Sequence, residues 1–217
     1  MEKEKNEKEK EKEKEKGKGF SRRGFIQSVA ISGAALGINV TGLAKSASAE
    51  ATICKESISL TVNGQPLVLQ IGDQPDEILP SDTLADTLRE KLRLTGTKIA
   101  CDHGTCGLCT VLMDDKPVLA CSLLTVECDG KNIVTIEGLE NKITGQLDPL
   151  QQSFIDNTAF QCGFCTPGII MSAKGLLMKN SHPTETDVRE ALAGNYCRCG
   201  SHYMAIDAVL KVAGKGR

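Results

Sequence analysis

Hydrophobic and polar residues alternate in the stretch ISLTVNGQPLVLQI, which begins at residue 58. Ile58, Leu60 and Val62 fall on one face of an extended chain, because successive side chains of a strand point to opposite sides. Asn63-Gly64 follows at once, and both of its residues accept the positive φ angles that two-residue hairpin turns require. The pattern therefore predicts a β-hairpin.

The spacing of leucines changes in the next segment, SDTLADTLREKLRL, which covers residues 81–94. Leu84, Leu88 and Leu92 recur every four residues, as on one face of a helix. Ser81 or Asp82 is the expected N-cap, since both side chains can accept a hydrogen bond from a free backbone N–H group. This segment is predicted to be a helix.

Strand patterns return after a cysteine-rich loop. CTVLMDDKPVLAC, residues 109–121, predicts a strand, a polar turn and a strand, and NIVTIEG, residues 132–138, predicts one more short strand. Strands on both sides of a single helix are typical of a small α+β sheet that grips the helix. We assign this arrangement to a domain spanning residues 50–137.

Helical periodicity replaces the alternation beyond Gly138. Pro167 fits the first turn of a helix, where the missing N–H group costs nothing, and Thr184 with Asp187 forms the pattern of a capping box. Residues 138–217 are therefore predicted to form a small four-helix bundle domain. Its four helical segments are residues 147–160, 166–180, 183–194 and 202–214.

The first 49 residues have a different character. Residues 1–20 largely alternate Glu and Lys, with no apolar residue between Glu2 and Gly19, which predicts a disordered, solvated tail. In residues 21–49, Arg22-Arg23 precede a weakly apolar run, and Ala47-Ser48-Ala49 fits a cleavage site, so the segment resembles a twin-arginine export signal. The predicted location is the periplasm with no stable membrane span after cleavage; a retained signal would instead hold the protein at the membrane.

Charge and composition exclude one class of partner. The 217-residue chain has a net charge of −2, and residues 50–217 carry 15 basic and 21 acidic side chains. Aromatic residues make up 3% of the chain and tryptophan is absent. An acidic surface with so few stacking platforms does not suit nucleic acid, so no nucleic-acid partner is expected.

Ten cysteines carry the candidate chemistry, and eight of them form two groups. The first quartet has the spacing C-x4-C-x2-C-x11-C, and the second has the spacing C-x2-C-x31-C-x-C. Cys54 and Cys128 stand apart and are interpreted as small buried hydrophobic residues. The first quartet consists of Cys101, Cys106, Cys109 and Cys121; the second consists of Cys162, Cys165, Cys197 and Cys199.

Disulfides and zinc are the alternatives to an iron–sulfur centre. An exported chain rich in cysteine often forms disulfides, but neighbouring sulfurs in C-x-C and C-x2-C pairs crowd one point and favour a shared metal centre. Four-cysteine zinc sites pair two short knuckles, whereas C-x4-C-x2-C with a distant fourth cysteine is the plant-type [2Fe–2S] spacing. A cluster with mixed His and Cys ligands, using His103 and His202, is less consistent with the sequence, because the two histidines fall in different predicted domains.

The surroundings of both quartets suit an anionic cluster. Gly104 and Gly107 can adopt positive φ and turn backbone N–H groups towards sulfur. The second quartet lies at two predicted helix starts, where free N–H groups and the helix dipole favour negative charge. Arg198 adds a positive charge between two of these cysteines.

The motifs CDHGTCGLCTV, QCGFCTPG and GNYCRCG together resemble the iron–sulfur subunit of the molybdenum hydroxylases, the family of xanthine dehydrogenase and aldehyde oxidoreductase. With an export signal, the chain is most similar to the small subunit of periplasmic aldehyde dehydrogenases. The resemblance implies a plant-ferredoxin-like β-grasp domain followed by the helical domain. It also implies one [2Fe–2S] cluster on each quartet and a contact between Gln161 and the molybdopterin of a large partner subunit, with Cys199 beside the pterin.

This resemblance leads to the functional hypothesis of an electron-transfer subunit of a molybdenum-dependent oxidoreductase. Substrate, an aldehyde or an N-heterocycle, is hydroxylated on the partner, and electrons pass on to an FAD subunit, a c-type cytochrome carrying haem or another acceptor. No catalytic residue is expected on this chain, which lacks dinucleotide-binding and phosphate-binding loops. A free-standing ferredoxin-like carrier and a zinc-held interaction module are the alternatives.

Overall fold

The computed structural model of the chain describes residues 56–214, which belong to one compact unit. The charged tail, the twin-arginine segment and Cys54 lie outside these residues. None of the helices within residues 56–214 has the length and apolarity that crossing a bilayer requires.

Five strands form one mixed sheet in the first half of the described chain. The sheet order is β2-β1-β5-β3-β4. The parallel pair β1 and β5 lies near the middle, and the other neighbouring strands run antiparallel. The strands are β1 (Ser57–Val62), β2 (Gln65–Gln70), β3 (Thr110–Met113), β4 (Lys116–Leu119) and β5 (Asn132–Val134).

The predicted hairpin is confirmed. Val62 pairs with Gln65 across the turn, and Asn63 and Gly64 have φ angles of 51° and 77°. Both central residues are thus left-handed, as the twist of the flanking strands demands. The apolar face of β1 is buried in the sheet core.

The predicted last strand is shorter than its sequence pattern. β5 ends at Val134, and residues 136–138 form a single 3₁₀ turn instead. Directly after the strand, the N–H group of Thr135 donates to the side-chain oxygen of Asn63 at 2.8 Å. This contact ties the end of the sheet to the hairpin turn.

The helix gripped by the sheet begins at a different N-cap from the predicted one. Helix α1 (Leu84–Asp86) is capped by Thr83, whose hydroxyl accepts from the N–H group of Asp86 while the Asp86 carboxylate accepts from the N–H group of Thr83. Asp82 was an expected cap, but its carboxylate accepts from the N–H group of Leu79. The other expected cap, Ser81, lies two residues before Thr83.

Helix α1 continues as a wider turn over Thr87–Lys91. The N–H group of Leu92 donates to the carbonyl of Thr87 at 3.0 Å, so the chain advances by i→i+5 bonds there. Leu84 and Leu88 are fully buried under the sheet, which confirms the predicted apolar face.

Four helices fill the second half of the described chain, as predicted. They surround a separate apolar core that includes Leu150, Phe154, Ile169 and Val209. The expected helix ends move inwards by up to four residues where capping residues intervene. The helices are α2 (Pro149–Asp156), α3 (Thr166–Lys179), α4 (Glu185–Leu192) and α5 (His202–Val212).

Two of the predicted helix-start signals are confirmed. Thr184 caps α4 in a reciprocal capping box with Asp187, and Pro167 lies in the first turn of α3. Asp148 caps α2 and also forms an ion pair with Lys174 on α3 at 2.5 Å. That pair joins two helices beside the core.

We refer to residues 56–137 as the sheet lobe and to residues 138–214 as the helical lobe. The division of the chain at residue 137 stays a prediction. Helix α3 packs across β3 and β4, and Gly175 permits the contact, because a Cβ there would overlap the ring of Pro117. The loop residue Leu108 inserts into the core of the helical lobe.

Thr158 is a strained position at the end of α2. Its φ is 49°, although a β-branched side chain disfavours the left-handed region. The N–H groups of Thr158 and Ala159 donate to the carbonyls of Ile155 and Phe154, which is the hydrogen-bond pattern of a Schellman motif. Glycine is the residue that normally occupies the left-handed position of this motif.

We therefore expect Thr158→Gly to stabilise the chain by about 1 kcal/mol. This corresponds to a rise of about 2–4 °C in the midpoint of thermal unfolding, followed by circular dichroism. Thr144→Gly is the matched control, since Thr144 is also exposed but is not among the residues with positive φ. A rise with Thr144→Gly equal to that with Thr158→Gly would contradict the strain argument.

Candidate functional site

The first quartet is assembled by a tight loop and a hairpin. Residues 101–109 precede β3, and Asp102, Gly104 and Gly107 in this loop have φ angles of 58°, 72° and 73°. Pairing of β3 with β4 then returns the chain so that the N–H group of Ala120 donates to the carbonyl of Cys109 at 3.3 Å. The hairpin therefore places the distant fourth cysteine, Cys121, beside the third.

Backbone donors surround the outermost sulfur of this quartet. The N–H group of Thr105 donates to the sulfur of Cys101 at 3.4 Å. The backbone N–H groups of His103, Thr105 and Cys106, together with the Cys106 thiol, lower the pKa of Cys101 to about 6. The expectation that the glycine-containing loop turns N–H groups towards sulfur is confirmed.

The sulfur of Cys109, in the same quartet, is in the opposite environment. Burial raises the pKa of Cys109 to about 12, and its hydrogen bond with the Cys121 thiol acts in the same direction. A buried thiol resists ionisation because the low-dielectric interior disfavours the charged form. A metal centre must therefore displace a firmly held proton here.

The second quartet is assembled by the starts of two helices. Cys165 is the N-cap residue of α3, with Cys162 three residues before it. Cys197 and Cys199 lie in the loop between α4 and α5. The hydroxyl of Ser201, the residue before α5, lies 3.1 Å from the sulfur of Cys197.

Thiols of low and high pKa are again combined in this quartet. Burial acts to raise the pKa of Cys197, but hydrogen bonds from Ser201, Cys165 and the backbone lower it to about 6. The N–H group of Phe164 lowers the pKa of Cys162. Burial raises the pKa of Cys165 to about 12.

Within each quartet the sulfurs meet two at a time. Among residues 56–214, no three His, Cys, Asp or Glu side chains are grouped around one point in the way that a single metal ion requires. A [2Fe–2S] cluster instead takes two thiolates on each of its two irons. Four pairs of neighbouring thiols, each close enough for one member to shift the pKa of the other, fit that demand: Cys101 with Cys106, Cys109 with Cys121, Cys162 with Cys199 and Cys165 with Cys197.

The structure also places the other residues that the sequence singled out near the cysteines. Gln161 is exposed, and its amide nitrogen donates to the carbonyl of Cys199 at 3.2 Å, so these two residues lie together. Arg198 and His103 are exposed. The ring nitrogen Nε2 of His202 is hydrogen-bonded to the carbonyl of Asn195, so the mixed His and Cys site finds no support.

Cys128 behaves as expected of a buried hydrophobic residue. It is 1% exposed, belongs to the core of the sheet lobe and is a free thiol. Burial raises its pKa. It lies apart from both quartets in the hydrogen-bond network, since its thiol donates to the carbonyl of Leu124.

The sequence patterns missed the residues that join the two quartets. The side-chain amide of Asn195 donates to the carbonyl of Gly107 at 2.8 Å, and the N–H group of Tyr196 donates to the carbonyl of Cys106 at 2.9 Å. Their only sequence signal was their place directly before the C-x-C pair. Ser201 was likewise not singled out.

Comparison with known proteins bears on the whole described region. Residues 70–133 match the 2Fe-2S iron-sulfur cluster binding domain family, and residues 135–210 match the [2Fe-2S] binding domain family. The nicotine 6-hydroxylase small subunit of Paenarthrobacter nicotinovorans is 48% identical over 73% of this chain and 90% of that protein. The chain belongs to the family of small iron–sulfur subunits of molybdenum hydroxylases.

Solved structures of the molybdenum hydroxylase family agree with the fold. A chain of quinoline 2-oxidoreductase from Pseudomonas putida 86 superposes with a TM-score of 0.67 and 42% identity, covering 73% of this chain and 93% of that chain. The aldehyde oxidoreductase of Desulfovibrio gigas gives a TM-score of 0.65 and 39% identity, covering 73% of this chain but 17% of that chain. In the latter, the similar region is part of a much longer polypeptide.

Membership of this family confirms the main predictions. The molybdenum hydroxylase small subunit combines the ferredoxin-like α+β domain and the helical domain, and it carries two [2Fe–2S] clusters. It is the electron-transfer subunit of an oxidoreductase complex with a large catalytic partner. The free-standing carrier and the zinc-held module are not favoured.

The pKa pattern predicts which thiols react first in the cluster-free chain. At pH 7 we expect a thiol-alkylating reagent to label Cys101 and Cys197 well before Cys109 and Cys165, because the thiolate is the nucleophile. Mass spectrometry of peptides over time measures this order. Labelling of the first two should decline as the pH falls through about 6. Buried Cys128 is the internal control, and its early labelling would show that the chain had unfolded.

Proposed function

We propose that each quartet holds one cluster and that electrons enter through the second quartet and leave through the first. When bound, each cluster accepts and releases one electron at a time. The observation that carries the proposal is the paired meeting of eight thiols in two quartets whose loops touch. The chain then contributes ligands, N–H donors to sulfur and a fixed geometry between the two sites.

We assign the two cluster sites to two separate domains. The ferredoxin-like domain, residues 50–137, takes the first cluster on Cys101, Cys106, Cys109 and Cys121. The helical domain, residues 138–217, takes the second on Cys162, Cys165, Cys197 and Cys199. The separate apolar cores of the sheet lobe and the helical lobe support this division.

Gln161 is our proposed contact to molybdopterin on the large subunit. Its side chain is exposed and is oriented by the carbonyl of Cys199. The neighbouring Cys162 is exposed as well. This edge of the second quartet is therefore accessible to a group carried by another chain.

Three exposed aromatic residues, which we call the aromatic patch, lie near the cysteines of the second quartet along the chain. Phe164, Tyr196 and Tyr203 are 46%, 58% and 56% exposed, and each lies within four residues of a cysteine of the second quartet. Aromatic side chains are enriched at the centres of protein interfaces, where tyrosine in particular contributes binding energy. The patch supports docking of the molybdopterin subunit on this side of the helical lobe.

Substrate chemistry belongs to the partner in this proposal. The names of the relatives indicate N-heterocycles for two of them and aldehydes for the third, so we propose one of these two classes as substrate. The first quartet then delivers electrons to an FAD subunit, a c-type cytochrome or another acceptor. No residue of this chain is assigned a catalytic role.

The proposed location is the periplasm. Arg22-Arg23 and the weakly apolar run that follows support twin-arginine export. That route moves folded proteins, which suits a chain that acquires its clusters before export. Cleavage after Ala49 would leave the protein without a membrane anchor.

Replacing one ligand in each quartet tests the cluster assignment. We expect Cys106→Ser and Cys165→Ser each to lose one of the two electron paramagnetic resonance signals of the reduced protein and about half of its iron, because each quartet holds one cluster. The two variants should lose different signals. Cys128→Ala, which removes a cysteine outside both quartets, should keep both. Retention of both signals in Cys106→Ser would refute the assignment of the first quartet.

A charge placed on the aromatic patch tests the docking side. Tyr203→Glu should weaken association with the large subunit by about 1–2 kcal/mol, or roughly tenfold, measured by titration of the purified subunits. Glutamate is well tolerated in the first turn of a helix, so α5 should remain folded. Val68→Glu, at a 65% exposed position on β2, is the matched control. Equal weakening by both variants would contradict the proposed interface. So would gel filtration of native extract in which this subunit elutes without a large partner.

A further inference from the structure

The two cysteine loops touch through their backbones. The N–H group of Tyr196, next to Cys197, donates to the carbonyl of Cys106 at 2.9 Å. Gly107 and Gly168 make this approach possible: a Cβ on Gly168 would overlap the carbonyl oxygen of Gly107, and one on Gly107 would overlap the carbonyl oxygen of Gly194. A side chain at either glycine would collide with the facing backbone.

Asn195 holds the contact from within. It is 3% exposed, and its amide nitrogen donates to the carbonyl of Gly107 at 2.8 Å. Its own N–H group donates to the carbonyl of Leu192, and its carbonyl is hydrogen-bonded to the ring of His202. The residue is therefore fixed by α4 before it and by α5 after it.

Two neighbouring hydrogen bonds link the loops, and the residues that they join run in opposite order along the chain. The carbonyl of Cys106 accepts from the N–H group of Tyr196, and the next carbonyl, that of Gly107, accepts from the side chain of Asn195, the residue before Tyr196. The Gly107 carbonyl also accepts from the hydroxyl of Thr110 at 2.7 Å on its own side of the contact. The bond from Asn195 therefore matters as a second link between the loops, and the two links together set their separation and register. Without the Asn195 amide, only the bond from Tyr196 to Cys106 would fix the separation and register of these two loop segments.

We propose that Asn195 is a positioning residue for electron transfer between the two clusters. The inference rests on the proposed function, in which Cys106 and Cys197 are ligands in different quartets. The donor of the bond between the loops, Tyr196, is the residue before the ligand Cys197. The acceptor is the carbonyl of Cys106, which is itself a ligand residue of the other quartet. In the transfer one electron leaves the second site and the same electron reduces the first; no bond breaks and no proton moves.

Asn195→Asp in the purified complex with its large subunit tests this role. The substitution keeps the size of the side chain but replaces the donor with a carboxylate oxygen that repels the carbonyl of Gly107. Two readouts apply: the magnetic interaction between the two reduced clusters in electron paramagnetic resonance spectra, and the rate of electron passage from the second cluster to the first after rapid mixing with substrate. We expect the splitting to change and the rate to fall several-fold while both cluster signals remain.

Asn157→Asp is the matched control in the helical lobe. The Asn157 amide also donates to a backbone carbonyl, that of Ser153, at 2.7 Å, and aspartate at this position retains an acceptor for Lys211. A general loss of packing in the helical lobe would affect both variants. A positioning role predicts unchanged splitting and rate in Asn157→Asp.

The outcomes separate this inference from the proposed function. Wild-type complex without two [2Fe–2S] signals would overturn the proposed function itself. Both signals present in Asn195→Asp, with the splitting and rate of the wild type, would overturn only the role of Asn195. If Asn195→Asp and the neutral Asn195→Ser both fail to load clusters while Asn157→Asp loads them, Asn195 serves assembly and the positioning role is wrong.

Discussion

The close backbone contact between residues 106–108 and residues 194–197 is the constraint on which the rest of the structure depends. Each quartet needs four sulfurs at one place, and the two quartets also need a fixed separation. The β3–β4 hairpin and the starts of α3 and α5 meet the first need. Glycine at 107 and 168 meets the second, since any side chain there would force the loops apart. The sheet and the helices, each with its own apolar core, hold the two loops on either side of this contact.

Burial and ionisation oppose each other at both sites. Cys109 and Cys165 are buried deeply enough to hold their protons, whereas hydrogen bonds lower the pKa of Cys101 and Cys197. A quartet can thus begin to bind iron through its readily ionised members and complete its ligand set as the buried thiols lose their protons. Binding a metal centre and releasing protons are then one coupled process, which favours the folded loops.

The sequence allowed prediction of most elements and marked the eight grouped cysteines as candidate ligands, because these signals are local. Alternation with period two located the strands, helical periodicity located α2 to α5, and short cysteine spacings marked both loops. Predictions from the sequence were weaker for features that depend on tertiary contacts. Thr83, and not Ser81 or Asp82, is the N-cap of α1. The carboxylate of Asp82 instead accepts a hydrogen bond from the N–H group of Leu79. Asn195 contacts a residue 88 positions away, and no spacing within the chain indicates such a pair.

The exposed edge of the second quartet explains why this chain would function as one part of a complex. Cys162 and Gln161 must be accessible if an electron is to arrive from another chain. With a cluster on the second quartet, as we propose, the same exposure would place water beside it, and the reduction potential of a cluster depends on its solvation and on hydrogen bonds to sulfur. Docking of a partner over Phe164, Tyr196 and Tyr203 would exclude that water. The potential of the second site is then a property of the assembled complex, whereas the first site, with its own backbone donors and hairpin, is built within this chain.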